Sequence, residues 1–209
     1  MRFMIAASSL AILAACATSD APVSATSSVA NPTAFDLAMD TVDTLLEAGN
    51  EQTAIDRLTQ LLGSPDLSDE DMANALMARA DIRYGYGNDV WGAIADFEEV
   101  IERYPGSPQA IEAGPLLDLA RGEATTLNGQ VEMGNLSPTQ EFEYRFRLGE
   151  HQEAADLMLA RNLTPENEYI LDLYQMGYLC DDPTITGPSY DMAEPDGTVR
   201  RVRFCEFGK

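Results

Sequence analysis

Lysine is almost missing from this chain. Lys209 is the only one, and His151 and Trp91 are likewise single representatives of their types. Thirteen Lys and Arg face thirty-five Asp and Glu, a formal charge of −22. The shortage is uneven. From Ala17 to Val199 eight arginines stand against thirty-four acids, whereas Arg200 to Lys209 holds four basic residues and one acid, Glu206. A body this acidic repels phosphate backbones and anionic lipid surfaces, which argues against nucleic acid as a partner. Long apolar runs are missing too. None reaches the roughly 20 residues that cross a bilayer. Residues spaced for covalent or metal chemistry are also absent: no G-x-S-x-G, no H-E-x-x-H, no G-x-x-x-x-G-K and no calcium-loop spacing. Acid pairs such as Asp69/Asp71, Glu98/Glu99 and Asp181/Asp182 carry little information among thirty-five, and His151, in a polar turn, reads as solvated. The sequence predicts a chain that is not an enzyme and holds neither metal nor cofactor.

What the N-terminus does contain is specific. Arg2 is followed by the uncharged run Met4 to Leu13, a basic head and a short apolar stretch with the build of a secretory signal. Leu13-Ala14-Ala15-Cys16 then resembles the lipobox of bacterial lipoproteins. The resemblance implies cleavage before Cys16, a diacylglycerol on its thiol and acylation of the new amino group. Several acyl chains, at about 0.8 kcal/mol per buried CH₂, make such anchoring effectively permanent. Ala17, not an acid, follows the cysteine, which in such lipoproteins implies the periplasmic face of the outer membrane. An ordinary secretory signal with an incidental cysteine is the competing reading. Residues 1–15 are therefore expected to be a signal peptide, and residues 16–33, small, polar and proline-containing, a flexible tether with a root-mean-square span of roughly 20–25 Å.

Residues 34–180 read as helices with recurring caps. Ser68, Ser107-Pro108, Ser137-Pro138-Thr139-Gln140 and Thr164-Pro165 each place a hydroxyl where a helix would start. Three turns share a signature, glycine followed by polar residues and then a small residue: Gly49 to Ala54, Gly87 to Ala93 and Gly149 to Ala154. This resembles the tetratricopeptide repeat, a helix-turn-helix unit of 34 residues. The best match runs from Asn74 to Pro105, with Ala80, Tyr84, Gly87, Ala93, Phe97 and Pro105 at or near the small, aromatic and proline positions, and one extra residue in the turn. Phe35 to Leu62 matches through Gly49, Ala54 and Leu58, and Phe142 to Asn162 keeps the turn alone. Gln109 to Leu127 is helical outside the repeat, and the helices after Leu136 are expected to cap the stack. The fold class expected is all-α, a tetratricopeptide-like helical array with a small C-terminal β-hairpin. A generic helical bundle is the alternative.

The resemblance implies a concave groove lined by the first helix of each pair. Its positions would be Met39, Asp43 and Leu46 in one unit and Met77, Asp81 and Tyr84 in the next, suited to a segment carrying basic residues. In residues 181–209, Asp196-Gly197 separates two strand-like runs, Ser189 to Met192 and Thr198 to Cys205. Cys180 and Cys205 are expected to pair, as two cysteines in an exported compartment usually do, at a gain of roughly 3 kcal/mol. The tail's arginines are read as lying on the acidic body; a partner or lipid head groups are the other options. Together these features imply a non-enzymatic, lipid-anchored envelope adaptor that binds other proteins, in outer-membrane or cell-wall assembly. An acidic envelope lipoprotein binding a small ligand or cation is the rival.

Overall fold

The computed structural model describes residues 32–205. The expected signal peptide, Cys16 and most of the expected tether lie outside the described residues. The described chain is eight helices followed by a small three-stranded antiparallel sheet. The helices are α1 (Ala34–Glu47), α2 (Glu51–Leu62), α3 (Asp69–Gly85), α4 (Val90–Arg103), α5 (Pro108–Met133), α6 (Pro138–Leu148), α7 (His151–Arg161) and α8 (Asn167–Gln175). The strands are β1 (Leu179–Cys180), β2 (Ser189–Ala193) and β3 (Val199–Phe204), in the order β1-β3-β2.

Local chemistry sets most helix starts. The hydroxyls of Thr33, Ser68, Ser107 and Ser137 each accept the backbone N–H of the third helical residue. Thr33 with Asp36, and Ser137 with Gln140, close full capping boxes. Thr164-Pro165 does not behave this way. α8 starts at Asn167, whose side-chain amide bonds both the N–H and the carbonyl of Ala193, at 2.5 and 2.8 Å. That tertiary tie fixes the start two residues beyond the proline.

From α1 to α7 each helix packs on the next; α3 also touches α5, and α4 touches α6. Alanines let these helices approach: Ala54, Ala75, Ala80, Ala93, Ala113 and Ala120 are fully buried. Gly87 is needed for space, because a Cβ there would sit 2.8 Å from Ile55 Cδ1. It does not take a left-handed backbone. The extra residue of that turn, Asn88, does so instead, at φ 45°.

α5 departs from the array. It runs for 26 residues, roughly 39 Å, through Gly114, Pro115, Gly122 and Gly129. Its first half packs in the array. Its middle meets the ends of α3 and α6, where Arg147 donates to Glu123 at 2.6 and 3.1 Å and to the Tyr84 carbonyl at 2.6 Å. The second half therefore overshoots the turn end of the array, and α6 returns along it. As a result only α6 lies beside α5, while α7, α8 and the sheet sit at the turns. The outer face of α5 stays open, with Ile111 71% and Leu119 60% exposed.

The expected hairpin is present, with Met192 opposite Arg200 and Asp191 opposite Arg201. β1 was not expected; Leu179 pairs with Phe204 and turns the hairpin into a sheet across the boundary placed at residue 180. Cys180 and Cys205 form a disulfide, with Cα atoms 5.6 Å apart. Tyr190, Met192 and Val202 share one core with Phe142, Phe146 and Met158. Arg200 pairs with Glu194 and Asp181, and Arg201 with Asp191, so both are neutralised by acids of the tail itself. Among the described residues no helix is long and apolar enough to cross a membrane.

Candidate functional site

The six groove positions do not meet. Met39 and Leu46 are half-buried with Val42, Leu58 and the Ala75–Ile82 side of α3. Asp43 is exposed on α1. Met77, 6% exposed, belongs to the core between α3, α4 and α5 and offers nothing to a groove. Met77 shares its helix stripe with Asp81 and Tyr84 but lies a turn nearer the start of α3, where α5 covers it. Asp81 and Tyr84 do come together, on the side of α3 that faces α5.

There the surface is specific. Asp81 is exposed, yet partial desolvation holds its carboxyl above the usual range, with Glu112 of α5 adding a like charge. Neither acid has an ion pair among the described residues. Gln109 donates to Asn74 at 2.6 Å and ties the two helices at one end. At the other, the Arg147 guanidinium lies 5.1 Å from the centre of the Tyr84 ring and holds the Glu123 carboxyl below its usual range. The aromatic group expected to greet a ligand is thus already covered by an arginine of the same chain. Leu119 stands exposed on α5 beside this acidic face.

A second polar region lies where the three signature turns meet α8. Gln175 donates to the Gly49 carbonyl at 3.0 Å, and Asn88 donates to Asp172 at 3.4 Å. His151 Nε2 lies 2.8 Å from the Asn88 carbonyl. That oxygen can only accept, so Nε2 carries the proton. His151 is no solvated turn residue: it opens α7, stacks 4.8 Å from Phe146, and burial lowers its pKa. Asp172 is pushed up to about 7, first by burial and then by Glu51. It borders a cleft of about 390 Å³ with Glu51, Glu168 and Tyr86. On the other side of Asn88 a cleft of about 320 Å³ is bordered by Asp56, Arg83, Asp89 and His151.

Beneath the second cleft sits a buried ion cluster. Asp96, 2% exposed, accepts Arg79 through both oxygens at 2.6 and 2.9 Å and Arg83 at 2.9 Å. Arg83 also pairs with Asp89 at 3.3 Å. Such bidentate pairs add geometric specificity as well as energy. Asp96 had a visible sign in the sequence, an acid inside the apolar stripe Ala93, Ile94, Phe97 and Val100. Asn88 and Asp172 had none, being 84 residues apart. Among the described residues no group of three or more His, Cys, Asp or Glu could hold a metal ion.

No protein-family model matches the chain, and no curated protein or solved structure matches it either.

Proposed function

We propose that the chain is a non-enzymatic, lipid-anchored adaptor of the cell envelope. Its tetratricopeptide-like helix pairs take up a basic polypeptide segment on the α3–α5 face. The observation that carries this reading is the pair Asp81 and Glu112, two acids of neighbouring helices that repel each other and hold no ion pair among the described residues. A lysine or arginine of a partner would relieve that repulsion and bring the desolvated Asp81 back toward its usual range. Leu119 supplies an apolar contact beside it. The anchor rests on Leu13-Ala14-Ala15-Cys16. The outer membrane, as the site of anchoring, rests on Ala17.

The test compares wild type with Asp81→Arg plus Glu112→Arg, both membrane-anchored, by capture from envelope extracts. Partners held by the wild type should be missing from the variant; identical partner lists overturn the reading. The rival reading, binding of a small ligand or cation, rests on the acidity of the chain as a whole, since among the described residues no group of three or more His, Cys, Asp or Glu could hold a metal ion. A saturable rise in Tm at micromolar calcium would favour it, since ligands that bind only the folded state stabilise by mass action.

A further inference from the structure

The outer edge of β2 is open over most of its length. In the β2–β3 ladder Glu194 N–H bonds the Thr198 carbonyl, so Met192 and Tyr190, at the same parity, face β3. Ser189, Asp191 and Ala193 turn their N–H and C=O groups outward. Only Ala193 is satisfied, by the side-chain amide of Asn167 bonding both its groups. An amide is the smallest piece of a neighbouring strand, and Asn167 takes the place of one at this end. Ser189 and Asp191 have no backbone partner on that side among the described residues.

Along this stretch lies a cleft of about 420 Å³, walled by the α7–α8 connection at Asn162, Thr164 and Pro165 and floored by Ile170 and Tyr190. Tyr190 is 6% exposed, and its hydroxyl is buried without a hydrogen-bond partner. A buried hydroxyl left so costs about 1–3 kcal/mol, and this one is sealed beneath the cleft floor.

We propose that the outer edge of β2 takes an extended segment of a partner polypeptide as a fourth strand. The open donors and acceptors of Ser189 and Asp191 repeat at roughly 6.8 Å, the spacing of an extended main chain. Main-chain bonds supply affinity. The cleft selects a short polar side chain, such as serine or threonine, that fits between the polar groups of Asn162, Thr164 and Asn167. This surface is separate from the α3–α5 face, and each can fail without the other.

The test selects displayed heptapeptides on the detergent-solubilised full-length protein. It then follows amide exchange of Ser189 and Asp191 with the selected peptides. Both amides should exchange quickly in the free protein and slow when peptide is added. Asp191→Pro removes an outward N–H that β3 does not use, and edge strands tolerate proline. It should weaken binding about tenfold, the equivalent of one to two hydrogen bonds, at unchanged Tm. If that variant melts early, Ser189→Pro replaces it: it removes the other outward N–H that β3 does not use, and affinity should fall by a similar factor. The proposal is overturned by a selection that yields no peptide, or by peptides that leave these amides fast. Concentration-dependent slowing without peptide also overturns it, because the edge would then be taken by a second copy.

Discussion

The array of α1 to α5 and the unit from α6 to β3 bury their surfaces in different ways. In the array the fully buried positions are mostly alanine and aliphatic, and one acid, Asp96, is buried with two arginines. In the C-terminal unit the core is aromatic. Phe142, Phe146, Tyr169 and His151 pack tilted or edge-on at centroid distances of 4.8 to 5.7 Å, and Tyr190 meets Phe204 edge-on. Helix length explains the contrast. The array's helices run 12 to 26 residues and gain enough from close approach along their sides. α6 to α8 run only 9 to 11, too short to be stable alone. Large rings, a three-stranded sheet and the Cys180–Cys205 disulfide supply what helix length does not.

Substitutions in each region probe this contrast. The largest effect is expected from Phe146→Ala, which empties a fully buried site in the aromatic core and should destabilise the fold by about 4 kcal/mol. Urea unfolding followed both by Trp91 fluorescence, from α4, and by near-ultraviolet circular dichroism separates two outcomes. Coincident shifts mean one cooperative unit; an unmoved Trp91 transition means the array holds alone. Asp96→Ala strands Arg79 and Arg83 with their main counter-charge gone and should lower stability by about 3 kcal/mol in the same assay. A loss below about 1 kcal/mol would show that the cluster is dispensable.

The joint between the regions should respond to pH. Asp172 lies at about 7 in the folded chain against an ordinary 3.8. The folded state therefore binds the extra proton between these values, and stability falls as pH rises through that window. His151 has the opposite sign. Its folded pKa lies below the ordinary 6.5, so stability falls as pH drops below 6.5. Asp172→Asn should remove the first effect and keep the second, leaving a Tm that no longer declines from pH 4 to 7; the recovered stability near pH 7 is about 2 kcal/mol. An unchanged profile would mean that water relieves the carboxyl. The smallest effect is a gain. Gly122 lies inside α5, and a Cβ added there would meet nothing within 4 Å. Gly122→Ala should therefore stabilise by about 0.5–1 kcal/mol, measured as a rise in Tm.

Features that depend on neighbouring residues were legible in the sequence. Ser107-Pro108 and Ser137 to Gln140 mark their helix starts because capping is a contact over three residues. The hairpin at Asp196-Gly197 and the pairing of Cys180 with Cys205 were legible for related reasons, turn chemistry and a count of two cysteines. Features set by distant partners were not. β1 is two residues long and exists only through pairing with Phe204 and Arg203. The sequence reads as helical only from Gln109 to Leu127, yet α5 runs on to Met133; Pro115 inside it sits on the exposed side of a helix held by its buried face. The turn register placed Asp81 and Tyr84 on one face of α3, but Glu112 came from a helix outside the repeat. Met77 was misplaced because a stripe read from sequence does not show which part of its length a neighbouring helix covers.

The overshoot of α5 makes the molecule sensitive to small changes of chain length at one place. Between Glu123 and Met133 the helix carries everything that follows. Each residue inserted there would lift the C-terminal unit by about 1.5 Å and swing it by roughly 100° about the helix axis. A single insertion would pull His151 from Asn88 and Gln175 from Gly49 at once. Only changes near whole numbers of turns, about seven residues for two, restore the orientation, and even those leave the unit about 10 Å too high. Natural variation in this chain's length therefore belongs in the loops between the other helices, and the spacing from Tyr84's partner Glu123 to Arg147 is fixed by geometry.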